Sequence, residues 1–299
     1  MLNRRHIRTI VLQSIYSDSI ESIDRKKIKT FISKSSSNTL DLLYCLIDFL
    51  KEINIYFNNL ESKKFKCPLV SKNPYFFFFN KLNSKKIKRG TIINWDLNLN
   101  FIIDLQSEFV SLNHEYSNTN ENDKIKNLNF FIESYSNIVA KSDLLYEFIE
   151  NQNINWINDL PFVNSFIINS VRKIDLQNTD SFHLPSVTDF QYEIDFGQKL
   201  FDNILANYQE LNNYLEGRTP NWDSERIAKI DKAILITSIA ELIYFPNIPV
   251  KVTINEYIEI AKEFSSPSSG KFINGVLDKL TKDLIEKEVI IKKGRGLIS

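Results

Sequence analysis

Three arginines stand within the first eight positions, Arg4, Arg5 and Arg8 of the stretch RRHIR. Their planar guanidinium forks suit bidentate contact with phosphate oxygens. At 100° per residue, Arg5, Arg8, Leu12 and Tyr16 fall within about 80° of one another, so two cations share a stripe with a ring able to stack on an unpaired base. Near the other end, Ser268 and Ser269 are N-cap candidates placed just before Lys271 and Phe272, and amides that open a helix present donors to an anion. Recognition of a polyphosphate strand is the chemistry these residue types could do. Other readings stay open: a solvated helix start for the arginines, a boundary residue with a wet hydroxyl for Tyr16, and a core ring for Phe272. Catalysis finds no constellation. His6, His114 and His183 lie far apart, and the chain has no HExxH, Walker-type lysine loop, GxSxG elbow or dinucleotide glycine fingerprint. Cys45 and Cys67 lack CxxC spacing, so no metal site, cofactor or disulfide framework is expected.

Composition sets the elements that must position these groups. The 299 residues are 43% hydrophobic and 25% charged, close to globular averages, which excludes wholesale disorder and collagen-like or disulfide-scaffold classes. Only 7 Gly and 8 Pro are too few for the many tight turns of a sandwich or barrel, so helices are favoured. No apolar run reaches the roughly 18 to 20 residues that span a bilayer, and Met1 to Ile10 does not read as a signal, so a soluble cytoplasmic protein is expected. The formal net charge is zero, but residues 61–90 carry 9 basic and 1 acidic side chains while residues 91–185 carry 5 and 13. A neutral total can thus hide a basic surface toward the front of the chain, unless the two blocks pair with each other.

Helical spacing runs through most of the sequence. Residues 4 to 20 gather Ile7, Ile10, Val11 and Ile15 on one side. Residues 28 to 60 predict two helices broken near Ser35 to Asn38, where serine and asparagine favour turns. Residues 61 to 90 read as loops joined to a short helix, with Tyr75 to Phe79 as core or an intramolecular anchor. The lysine-rich Lys81 to Arg89, with Lys85, Lys86 and Lys88 inside it, could extend a path for a polyphosphate strand. Residues 97–116, 124–150 and 160–174 are again mostly helical, and His183-Leu184-Pro185 is a plausible boundary. Residues 189 to 216 predict one long helix ended by Gly217, followed by an Asp223 N-cap and an apolar stripe from Ile227 to Ile243. Thr253 and Glu256 have capping-box spacing. Gly275 inside the last helix predicts close approach of a neighbouring helix.

Two separated segments resemble one family. Leu2 to Tyr16, LNRRHIRTIVLQSIY, and Arg226 to Leu280, with IDKAIL, ELIYFPNIPVKVTINEYIEIAK and KFINGVLDK in order, are similar to the bacterial transcription antitermination factor NusB. The resemblance implies an all-α fold: a NusB-like helical bundle formed by its first helix (1–20) and residues 189–299, with an inserted, mainly helical region at 21–188. It also implies a non-catalytic, RNA-binding protein that pairs with the ribosomal protein NusE, binds boxA-type RNA of ribosomal RNA operons, joins the RNA polymerase elongation complex and suppresses premature termination. The family's RNA-contacting positions fall on Arg4, Arg5, His6, Arg8, Gln13, Tyr16, Lys271 and Phe272. Asp231 matches an acidic partner-facing position, and Ser268 stands where aspartate is common. The alternative is a helical protein-interaction adaptor without RNA contact.

Overall fold

The computed structural model describes residues 4–20, 25–60, 63–82, 92–116, 123–178, 184–215 and 228–297. The chain is all-helical, and no strand occurs among the described residues. The helices are α1 (Arg4–Ile20), α2 (Arg25–Asn59), α3 (Pro68–Ser71), α4 (Pro74–Lys81), α5 (Asn100–Glu115), α6 (Lys124–Ser134), α7 (Asp143–Gln152), α8 (Trp156–Lys173), α9 (Gln191–Ala206), α10 (Tyr208–Asn213), α11 (Lys229–Tyr244), α12 (Val250–Phe264) and α13 (Ser269–Glu286). None of the described helices is long and apolar enough to cross a membrane. Packing divides the chain into two units, residues 3–34 with 190–299 and residues 35–189, so the division falls inside α2.

In the first unit α11 is the central helix. It is buried without a break from Ala233 to Leu242, the behaviour of a helix that is apolar on all sides. Thr237 and Ser238 survive inside it because each hydroxyl donates to a carbonyl of its own helix, Ala233 at 2.7 Å and Leu235 at 2.8 Å. Helix α1 packs on α9 and α11, and α12 packs on α11 and α13. The expected apolar face of α1 is the buried one: Ile7, Ile10, Val11 and Ile15 all lie in the core. Helices α1 and α9 approach so closely that a Cβ on Gly197 would stand 2.4 Å from Ile7 Cγ2.

The other unit is built on aromatic packing. Four of the five rings of Tyr75 to Phe79 are buried and Phe77 is exposed. Phe76 and Phe79 meet Phe131 at centroid distances of 4.7 and 5.7 Å. The indoles of Trp95 and Trp156 reach the carbonyls of Cys45 and Asn38 at 2.9 and 2.8 Å, which satisfies their N–H groups in the interior. Both cysteines are free and buried, and burial pushes the Cys67 thiol up to about 12, leaving it unreactive.

Several sequence expectations are corrected. No break occurs at Ser35 to Asn38; α2 is continuous, because Thr39 and Ser35 are buried and Thr39 Oγ1 lies 2.9 Å from both the Ser35 carbonyl and Asp159 Oδ2. Tertiary partners for the polar groups override their turn preference. Residues 189 to 216 do not form one helix: Asn207 leaves helical geometry at φ −123° and ψ 22°, and its side-chain amide donates to the Asn203 carbonyl at 2.9 Å, a local bond that competes with the helix. Gly275 has nothing within 4 Å of an added Cβ, so no neighbouring helix compensates it. Residues 83–89 of the lysine-rich segment, His183, Gly217, Asp223 and Ile227 lie outside the described residues.

Candidate nucleic-acid interface

The first two turns of α1 sort its three arginines into different environments. Arg8 is 2% exposed. It faces Glu241 of α11, which is 0% exposed, through a bidentate pair with Nε and Nη2 each at 2.7 Å. Glu241 also accepts from Thr253 Oγ1 at 2.8 Å and from the Tyr257 hydroxyl at 3.2 Å. Burial works against the Arg8 charge, yet the hydrogen bonds and field of Glu241 more than offset it and hold its pKa above the ordinary value. Burial, reinforced by the Glu241 charge, pushes the Tyr257 phenol well above its usual range, so it remains a donor. A buried carboxylate with this set of donors is a satisfied structural network.

Arg5 is different. Its side chain is 41% exposed, and Nε and Nη2 meet the two oxygens of Glu256 on α12 at 3.0 and 2.9 Å. Those hydrogen bonds raise its pKa against the opposing effect of partial burial. Glu256 therefore has another task than capping, and so does Thr253: α12 begins at Val250 behind Pro249 with no side-chain cap. The capping-box spacing was in truth the spacing of two residues that face α1 and α11. Arg4 lies over the rings of Tyr192 and Phe196 at 5.2 and 5.3 Å, and its Nη2 meets the Tyr192 hydroxyl at 2.6 Å. His6 is buried, and Gln13 and Tyr16 are half-buried on the same helix.

The second cluster opens α13. Lys271 is exposed, Phe272 is half-buried, and Ser268 is exposed with no side-chain capping bond. Asp231 of α11 is buried and accepts from Ser265 Oγ at 2.5 Å and Ser269 Oγ at 2.9 Å. It ties α11 to the start of α13, an inward-facing task that its acidic character alone did not reveal. Helix α12 runs between the two clusters. Arg5 meets it at Glu256, and the start of α13 meets it at Lys262, whose Cγ lies 3.5 Å from a Cβ built on Gly270. Six residues separate those points, about 9 Å of helix. Between them Glu259 bonds Lys262 at 2.6 Å, and that hydrogen bond, with the fields of Lys262 and Arg5, lowers its pKa. Among the described residues no group of His, Cys, Asp and Glu could hold a metal ion.

The sequence did not point to Glu241, Glu256, Tyr192 or Phe196 as partners of these arginines. A signal existed for Glu241: a carboxylate inside the run ILITSIAELI must be paired if that run is buried.

Comparison with known proteins gives one family. Residues 176–282 match the NusB family. The transcription antitermination protein NusB of Chloroherpeton thalassium is 40% identical over 104 residues, which is 35% of this chain and 49% of that relative. The protein of the same name from Salinibacter ruber is 42% identical over 104 residues, 35% and 65% of the two chains. That of Geotalea daltonii is 42% identical over 93 residues, 31% and 64%. The chain thus spans about half to two thirds of the length of these relatives. Residues 176–282 of the chain are thus similar to the NusB family, and 190–282 of them lie in the all-helical unit of residues 3–34 and 190–299.

Proposed function

We propose that this chain is a non-enzymatic transcription antitermination protein that binds boxA-type RNA together with the ribosomal protein NusE and joins the RNA polymerase elongation complex. One observation carries the reading: within the unit that holds residues 190–282 of the family match, Arg5 on α1 pairs with Glu256 of α12, and the start of α13, which carries Lys271, packs on the same helix at Gly270. Arg4, Arg5 and Lys271 are the phosphate contacts, and Tyr16 and Phe272 are the rings available to bases. Magnitudes separate Arg5 from Arg8. A part-exposed ion pair contributes at most about 1 kcal/mol, so an incoming phosphate can displace Glu256 from Arg5. Removing one partner of a buried pair costs about 3–5 kcal/mol, so Arg8 stays on Glu241 and positions α1 rather than touching RNA. His6 and Gln13 act likewise through the position of α1. Asp231 and Ser268 shape the turn before α13, and through it the surface offered to the protein partner.

A second reading, a helical protein-interaction adaptor without RNA contact, draws on the same carboxylates, since Arg5 and Arg8 are already paired inside the unit. Filter binding with boxA-like single-stranded RNA, with and without NusE, separates the two. Sequence-dependent retention that falls with salt supports the first reading; partner binding with no RNA retained supports the second.

A further inference from the structure

Beside Arg4, the unit of residues 3–34 and 190–299 contains a cleft of about 720 Å³, within the range that encloses small ligands. Its floor is aromatic: Phe196 of α9 and Phe245, just past α11, meet edge to face at 4.9 Å. Tyr192, 67% exposed, forms a wall. Three cations surround these rings: Arg4, Lys199 with Nζ 5.8 Å over Phe245, and Arg295. They face one carboxylate, Asp195, which accepts from Gln191 Nε2 at 2.7 Å. The segment bearing Arg295 is pinned to the same turn. The Lys293 amide donates to the Pro246 carbonyl at 3.0 Å, Lys292 Nζ donates to the carbonyls of Leu242 and Phe245 at 2.9 and 3.2 Å, and a Cβ on Gly296 would stand 1.9 Å from Pro246 O. Arg295 therefore reaches the rim from a fixed backbone.

We infer that this cleft is a nucleotide subsite, taking one unpaired base of a single-stranded RNA against its rings and the flanking phosphates on Lys199, Arg295 and Arg4. An apolar ligand would leave three cations balanced by the single carboxylate of Asp195, and a bare anion would leave the rings unused. A flat base joined to phosphate uses both. Arg4 belongs to the cleft and to the α1 surface alike, so a strand held there continues into it. The inference rests on the RNA-binding reading and extends it to residues which that reading does not use.

The test compares the full chain with Lys199→Ala/Arg295→Ala, Tyr192→Ala and Tyr192→Phe, using a short single-stranded RNA carrying 5-iodouridine and, separately, free 5-iodouridine monophosphate. Loss of two phosphate contacts makes the slope of log K against log salt shallower by about 1.4. Tyr192→Ala weakens binding roughly 5- to 150-fold, the range for one lost stacking partner, while Tyr192→Phe keeps the ring and the affinity. Photocrosslinks from the RNA map to Tyr192, Tyr244 or Phe245. RNA binding that depends on Arg5 and Lys271, with an unchanged slope in Lys199→Ala/Arg295→Ala and crosslinks elsewhere, overturns the inference and leaves the proposed function standing. Crosslinking by the free nucleotide but not by the strand overturns the assignment to RNA. No RNA retained by the unaltered chain, with or without the ribosomal partner, overturns both.

Discussion

Replacing Arg8 by methionine removes two charge-assisted hydrogen bonds from Glu241 and leaves a carboxylate that is 0% exposed with, among the described residues, only Thr253 and Tyr257 as donors. The expected cost is about 3–5 kcal/mol, because an uncompensated charge then stays inside the unit. Since 1.4 kcal/mol is a factor of ten in an equilibrium constant, slow-exchanging amides of α1 and α11 should lose about two to three and a half decades of hydrogen-exchange protection. Adding Glu241→Gln removes the stranded charge and keeps an acceptor for the two hydroxyls, so the double variant Arg8→Met/Glu241→Gln recovers at least half of the loss. RNA affinity, measured at a temperature where all variants are folded, should follow stability and return in the double variant. If Arg8→Met leaves exchange unchanged while lowering RNA affinity tenfold, and Glu241→Gln does not restore it, Arg8 touches the ligand directly and the structural assignment fails.

Other perturbations test the packing and its electrostatics. Gly275→Ala should stabilise the chain by up to about 1 kcal/mol, since a methyl there meets open space inside a helix; a lower urea midpoint would contradict this. Gly197→Ala should instead destabilise it by about 1–3 kcal/mol, because the new Cβ lies 2.4 Å from Ile7 Cγ2 and α1 must shift from α9; an unchanged midpoint would show that the two helices have room. Burial lowers the pKa of Lys292 from 10.5 to about 8. Between those values the unfolded chain binds the proton that the folded chain has released, so the Lys292 contribution makes stability rise with pH through that window. The stability of the unaltered chain minus that of Lys292→Gln should therefore increase from pH 8 to pH 10.5, and a flat difference would refute the assignment.

How far the sequence could be read depended on whether one periodicity decided the outcome. The apolar face of α1 follows a 3.6-residue period and lies in the core as expected, whereas α11, expected to carry one apolar stripe, is buried on every side from Ala233 to Leu242. Where a polar side chain had two possible partners, local rules chose the wrong one. Ser35 to Asn38 suggested a turn, but Ser35 is buried in a continuous α2, where its carbonyl accepts from Thr39 Oγ1. Thr253 and Glu256 suggested a cap but face α11 and α1. Asn207 sits in a helical pattern yet bonds back to Asn203 and ends α9. The arginines posed the same problem: the wheel put Arg5 and Arg8 on one stripe, but a stripe at the edge of a bundle has a wet side and a dry side. Only the position of Glu241 on the packed α11 shows that Arg8 takes the dry one.

The central claim, that α1 and the start of α13 grip one RNA strand, is tested most directly by the salt dependence of single-stranded RNA affinity for the unaltered chain and for Arg5→Ala/Lys271→Ala, both at exposed or part-exposed positions. The account predicts a linear fall of log K with log salt, and a slope shallower by about 1.4 in the double variant, two phosphate contacts at about 0.7 each. An identical slope in both proteins, or affinity indifferent to salt, would contradict it.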